Sequence, residues 1–177
     1  MANDRPRGID HIGITVPDLE VASRFLTDAF GAVALYDNIA ADDQPQEGPQ
    51  AEKTLDLAPG TRVVHMRMMS LGHGPGIELF EMHGPHQQAP VRPSDFGLQH
   101  FAVYVDDMAA ALARFEKAGG IVLNSPADQP NLEAGPGNVF LYGRTPWGSI
   151  VELLSTPSRE KFDAVSPVRR YQPPPLA

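Results

Sequence analysis

The chain has 177 residues, 42% of them hydrophobic and 20% charged, with a formal net charge of −8 and no cysteine. That length supports a sizeable core, while the acidic balance argues against nucleic acid, whose phosphates call for clustered Lys and Arg, and against an anionic membrane surface. Without cysteine, disulfides and thiolate ligands are excluded, so a metal would have to be held by His, Asp or Glu.

Residues 9–16 alternate, with Ile12, Ile14 and Val16 on one face and His11, Gly13 and Thr15 on the other. Period-two alternation of this kind predicts a strand packed on one face. Pro17 ends it, and Asp18 is placed to cap a helix over about 18–30 with Leu19, Ala22, Leu26 and Ala29 as its apolar stripe. Gly31 stops that helix, and a short strand is expected over 32–36. Residues 40–60 are polar and turn-rich and read as a long loop, either a lid over one end of a site or a surface elaboration. Strands follow over 62–71 and 77–82, joined by a glycine-rich turn over 72–76, and a linker rich in Pro and Gln spans 84–96.

The same order then returns. A strand over 98–105 carries Phe101, Val103 and Val105 on its packed face. Asp106 or Asp107 caps a helix of about 107–118 with the stripe Met108, Ala111, Leu112 and Phe115, ended by Gly119 and Gly120. A short strand over 121–123, a Pro/Gly loop over 125–137, and strands over 139–143 and 149–154 complete it, the last two joined by a turn over 145–148. No apolar run reaches the roughly 18–20 residues that cross a bilayer. The opening residues also lack the apolar stretch of a secretory signal, so a soluble cytoplasmic protein is expected.

The second half is a copy of the first. Asp10-His11-Ile12 leads to Val16, Asp18, Leu19 and Ala22; Gln99-His100-Phe101 leads to Val105, Asp107, Met108 and Ala111, each pair 89 positions apart. A repeat of this kind governs the whole fold. Each copy reads as βαβββ, module one over about 8–84 and module two over about 97–156, together a single domain of 1–156 followed by a Pro-rich tail over 157–177. The tail is expected along the surface or against a neighbouring subunit. Its Arg169 and Arg170 read as a solvated charge pair, or as contacts for an anionic substrate or a partner.

Each module also ends with a glutamate in an apolar strand, Glu78 between Ile77 and Leu79 and Glu152 between Val151 and Leu153. A carboxylate in such a setting needs a partner, because burying an unpaired charge is costly. Two histidines and two glutamates, one pair per copy, make an N/O set suited to a divalent metal. Phe80, Tyr104, Ile150 and Leu154 share strand parity with these residues and are candidates for an apolar substrate wall, with Tyr104 offering a hydroxyl. Glu81 has the opposite parity and reads as surface, Trp147 as structural, His73 and His86 as solvated turn residues, and His65 as outside the repeated motif.

The runs Asp10 to Asp18, Ile77-Glu78-Leu79, Gln99 to Val103 and Pro146 to Glu152 resemble the vicinal oxygen chelate superfamily, the glyoxalase/bleomycin-resistance/extradiol-dioxygenase group, over residues 8–156. The resemblance implies an α+β fold in which two tandem βαβββ modules form an incomplete mixed β-barrel around a metal site. It makes His11, Glu78, His100 and Glu152 the ligands of one divalent ion (Ni, Co, Zn, Mn or Fe) and implies a homodimer. In its glyoxalase I-like and methylmalonyl-CoA epimerase-like members, the metal stabilises an enediolate or enolate and a glutamate moves the proton. Glu152 is the expected base, with Glu78 the alternative. A metal-dependent lyase, isomerase or epimerase acting on a small oxygenated substrate is therefore expected. Two alternatives are an Fe(II) or Mn(II) ring-cleaving dioxygenase and a non-catalytic small-molecule (antibiotic) binding protein. There is no dedicated basic cluster for a CoA phosphate, and methylmalonyl-CoA epimerases typically have glutamine where this chain has Glu78.

Overall fold

In the computed structural model, whose described residues are 6–158 and 161–175, the chain divides into two compact units. The first runs to Ser23 and resumes over Ala32–Gln87; the second takes Arg24–Gly31 and begins again at Gln88.

In the first unit, β1 (His11–Val16), β2 (Val33–Ile39), β3 (Arg62–Ser70) and β4 (Gly76–His83) form a sheet of order β1-β4-β3-β2. β1 runs parallel to β4, and the other neighbours are antiparallel. Ile14 and Val16 are buried with Ile77, Leu79 and Met69, while His11, Gly13 and Thr15 are exposed, as the alternation requires. Helix α1 (Leu19–Phe30) starts where expected, with the Asp18 carboxylate accepting from the Val21 N–H at 2.9 Å. Its stripe of Leu19, Ala22, Leu26 and Ala29 is buried.

Two features of this unit depart from expectation. β2 continues to Ile39, past the expected end at 36, as an edge strand with irregular register on both sides of Tyr36 and Asp37. Asp37 accounts for the extension. Its carboxylate takes the Arg67 guanidinium at 2.6 and 2.9 Å and the His65 ring at 3.0 Å, fastening β2 to β3. The long polar stretch is not all loop, because it contains α2 (Pro49–Leu55), a seven-residue helix that buries nothing. With no buried face there is no apolar period to read. The segment is tied instead by polar bonds: Gln46 and Val63 exchange backbone hydrogen bonds, and the Glu52 carboxylate accepts from the Gly60 N–H at 2.7 Å.

The second unit repeats the topology. β5 (His100–Tyr104), β6 (Ile121–Val122), β8 (Val139–Arg144) and β9 (Ile150–Ser155) stand in the order β5-β9-β8-β6, with β5 parallel to β9. A short β7 (Ala127–Asp128), which falls in the expected Pro/Gly loop, pairs with β8. Asp107 caps α3 (Met108–Lys117), accepting from the Ala110 N–H at 3.0 Å. The unit's core is aromatic: Phe25 meets Phe115 and Trp147 edge to face at 5.5 and 5.4 Å between ring centres. Trp147 is structural, as expected, and its indole N–H donates to Ser149 Oγ at 2.9 Å. Gly143 is required by this core, since a Cβ there would stand 2.5 Å from the Phe115 ring.

The tail also lies on this unit. The Tyr104 hydroxyl donates to the Tyr171 carbonyl at 3.2 Å, and Arg170 pairs with Glu133 while remaining exposed. The chain is α+β with two βαβββ units, and among the described residues no helix is long and apolar enough to cross a membrane.

Candidate functional site

The strand pairing brings one histidine and one glutamate together in each unit. In the first, Gly13 is the partner of Glu78 and Thr15 of Phe80 across the β1–β4 pair, so His11, Glu78 and Phe80 share a face. His11 Nε2 stands 3.2 Å from Glu78 Oε2. Phe80 lies against Gly13, where a Cβ would come to 3.4 Å from its ring. In the second unit His100 is partnered by Ile150, Ala102 by Glu152 and Tyr104 by Leu154, which puts all the expected site residues of this half on one face. His100 Nε2 stands 3.0 Å from Glu152 Oε2.

The other ring nitrogen is held in the same way in both copies. His11 Nδ1–H donates to the Asp10 carboxylate at 2.8 Å, and His100 Nδ1–H donates to Gln99 Oε1 at 2.8 Å. Gln99 is itself fixed, its amide N–H donating to the Pro93 carbonyl at 2.8 Å. A partner on Nδ1 sets the tautomer and turns Nε2 outward, the arrangement common to metal-ligating histidines. In the neutral ring, Nε2 and the facing carboxylate oxygen both present lone pairs, which a proton or a cation between them reconciles. Two donors about 2.0–2.2 Å from one ion and roughly at right angles stand about 3 Å apart, close to the 3.0 and 3.2 Å seen here. Each pair therefore fits half of a divalent-metal site in donor type, orientation and spacing. Among the described residues no three or more His, Cys, Asp or Glu side chains gather into one metal-holding group.

The local electrostatics differ between the pairs. The hydrogen bond that His11 donates to Asp10 raises the His11 pKa, with the Glu78 charge adding to it. Burial raises the Glu152 pKa, with His100 opposing it and the nearby Glu133 and Arg170 acting in opposite senses. A carboxylate with a raised proton affinity is suited to take a proton from carbon.

Of the expected wall residues, Ile150 lines a half-open cleft of ≈ 240 Å³ beside His100. Leu154 is buried, and the Tyr104 hydroxyl is committed to the tail. Glu81 does point away from Glu78, yet it is more than surface: it accepts from the Leu19 N–H at 2.9 Å at the start of α1. His65 is buried against Asp37, and His73 and His86 are exposed.

Tyr142, which was not among the expected residues, lies beside the second His–Glu pair. It is the direct partner of Glu152 on the neighbouring strand, and its ring meets His100 edge to face at 5.3 Å. Its pKa is raised by burial first, then by the charges of Glu152 and Glu133, so its hydroxyl stays a neutral donor. The strand containing it was legible; its register against β9 was not.

These features place the chain in a known class. It belongs to the glyoxalase/bleomycin resistance protein/dioxygenase superfamily, whose family model matches residues 10–138. It is 34% identical over 169 residues to a 2-epi-5-epi-valiolone epimerase from an Actinomyces species, covering 93% of this chain and 88% of that protein. It is 30% identical over 146 residues to an ethylmalonyl-CoA/methylmalonyl-CoA epimerase from Cereibacter sphaeroides, covering 82% of this chain and 95% of that one. A glyoxalase family protein from Bacillus cereus shares the fold with a TM-score of 0.66 at 21% identity, over 88% of this chain and 97% of that chain. Both of these sequence relatives are epimerases by name.

Proposed function

We propose that the protein is a divalent-metal-dependent epimerase that inverts a stereocentre beside a carbonyl group in a small hydroxylated substrate. His11, Glu78, His100 and Glu152 are its ligands. The observation that carries this is the His–Glu pair recurring at equivalent sheet positions in both units, in a chain 34% identical to an epimerase over most of its length. Both epimerase relatives are named for compounds in which a carbon lies beside a carbonyl, in one a ketone and in the other a thioester. A divalent cation, when bound, supplies Lewis-acid stabilisation of the negative charge that develops on the substrate oxygen.

The chain's own groups handle the proton. Glu152 takes it from the carbon beside the carbonyl, the bonding electrons passing to the oxygen. Inversion requires that a proton return to the opposite face of that carbon, and Glu78 is the carboxyl group that gives it. Asp10 and Gln99 keep the two rings in the tautomer that turns Nε2 toward the glutamates.

The test is solvent exchange. Metal-loaded protein in D2O is offered 2-epi-5-epi-valiolone and, separately, methylmalonyl-CoA, and proton NMR follows the hydrogen beside the carbonyl. Deuterium should enter the ketone with inversion of that centre, and Glu152→Gln should slow it by about 10²–10⁴-fold, the usual worth of a positioned acid or base. Absence of exchange with both compounds would overturn the epimerase, and oxygen uptake with a catechol would move the assignment to ring cleavage.

A further inference from the structure

The cleft beside His100 has a chemistry of its own. Leu123 and Ile150 line its apolar side, and Gln99, Asn124, His100 and Tyr142 its polar side. There is no Asp, Glu, Lys or Arg among its described lining residues. Both amides are held in place by existing hydrogen bonds. Gln99 donates to Pro93 and accepts from His100. Asn124 accepts from the Tyr142 N–H at 2.8 Å and donates to the Ser125 carbonyl at 2.8 Å. The Tyr142 hydroxyl has no hydrogen-bond partner among the described residues, although its ring is fixed between His100 and Phe140. One strand away, Glu152 is its direct cross-strand neighbour, at the roughly 4.5–5.5 Å Cβ spacing of such pairs.

We propose that this cleft binds the uncharged, hydroxylated part of the substrate and that the Tyr142 hydroxyl is its specificity-determining hydrogen-bond partner. The volume of ≈ 240 Å³ lies below the roughly 300–1,000 Å³ usual for drug-sized ligands, so the occupant is compact. Away from His100 the walls are uncharged and offer no counter-charge to a carboxylate or phosphate on the outer part of the substrate, whose desolvation would go largely uncompensated. A ring or short chain bearing hydroxyl groups meets Leu123 and Ile150 with its carbon skeleton and Tyr142 with an oxygen. Such a group is thereby delivered next to Glu152. The identity of the occupant as substrate rests on the epimerase proposal; the binding chemistry of the cleft does not.

The experiment reads binding without turnover. Amide NMR spectra of the purified protein are titrated with 2-hydroxycyclohexanone and with cyclohexanone, for wild type and Tyr142→Phe. The hydroxyketone should shift the amides of Leu123, Asn124, Tyr142 and Ile150, and Tyr142→Phe should weaken it about 2- to 10-fold, the loss of one neutral hydrogen bond. Cyclohexanone should bind both proteins alike. Equal affinity of the hydroxyketone for both proteins, equal weakening of cyclohexanone, or no shift in the cleft at the highest soluble concentration would each overturn the inference. Deuterium exchange in the same samples keeps the two proposals apart. Cleft binding without exchange counts against the epimerase alone, and exchange that ignores Tyr142 counts against the cleft alone.

Discussion

Single residues set the chemistry through their neighbours. Asp10 and Gln99 occupy the same place in the two copies, and each holds the Nδ1 of the histidine that follows it. Loss of such a partner typically lowers metal affinity by 10–100-fold. The two should not be equal. The Asp10 side chain is 92% exposed, so water can replace it, whereas Gln99 is itself anchored on Pro93. Competition with a chromophoric chelator should therefore show a loss near 10-fold for Asp10→Ala and a larger one for Gln99→Ala; the reverse order would count against an orienting role. Gly143 makes a separate demand. A methyl group there meets the fully buried Phe115 ring, so Gly143→Ala should cost about 1–3 kcal/mol, the usual range for overpacking, measured by urea unfolding.

At the scale of elements, β1 is legible because it alternates about a buried face, whereas β9 reads as a short apolar run buried on both faces and interrupted only by Glu152. The Asp18 cap and the stripe of α1 follow from period and cap chemistry alone, and of the two candidates for the second cap it is Asp107 that serves; β1 and β5 are where expected, but each begins two residues later than the alternation predicts. What escaped was governed by polar contacts distant in sequence. Asp37 prolongs β2 by reaching Arg67 and His65, and Glu81 serves α1 from 62 residues away. The Asp37 cluster gives a pH dependence. The Arg67 guanidinium, followed by the His65 ring, holds the Asp37 pKa down to about 2. A depressed carboxylate contributes stability that is full above its unfolded pKa near 4 and disappears as the pH falls through its folded value. Between about pH 4 and 2 the wild type should lose on the order of 1–2 kcal/mol that Asp37→Asn does not lose. Parallel acid unfolding curves for the two proteins would contradict this.

At the scale of the whole molecule, duplication is the main fact. The 89-residue offset marks the repeated start of each module, and the glutamates, 74 positions apart (152 − 78), fall on the matching last strand of each, because a copied module must place equivalent residues on equivalent strands. Tyr142 stayed hidden because its importance comes from register against β9, which no single sequence displays. The tail stayed hidden for the same reason: Tyr171 and Arg170 find Tyr104 and Glu133 only once the second unit has folded. The central claim is that both copies contribute to one ion. Its most direct test is metal content by mass spectrometry, with protein purified free of chelator and affinity metal, for wild type, His11→Ala and His100→Ala, each checked for folding by circular dichroism. About one divalent ion per chain in wild type, lost in each single variant, is the predicted result. No metal after reconstitution, or full retention in either variant, would contradict it.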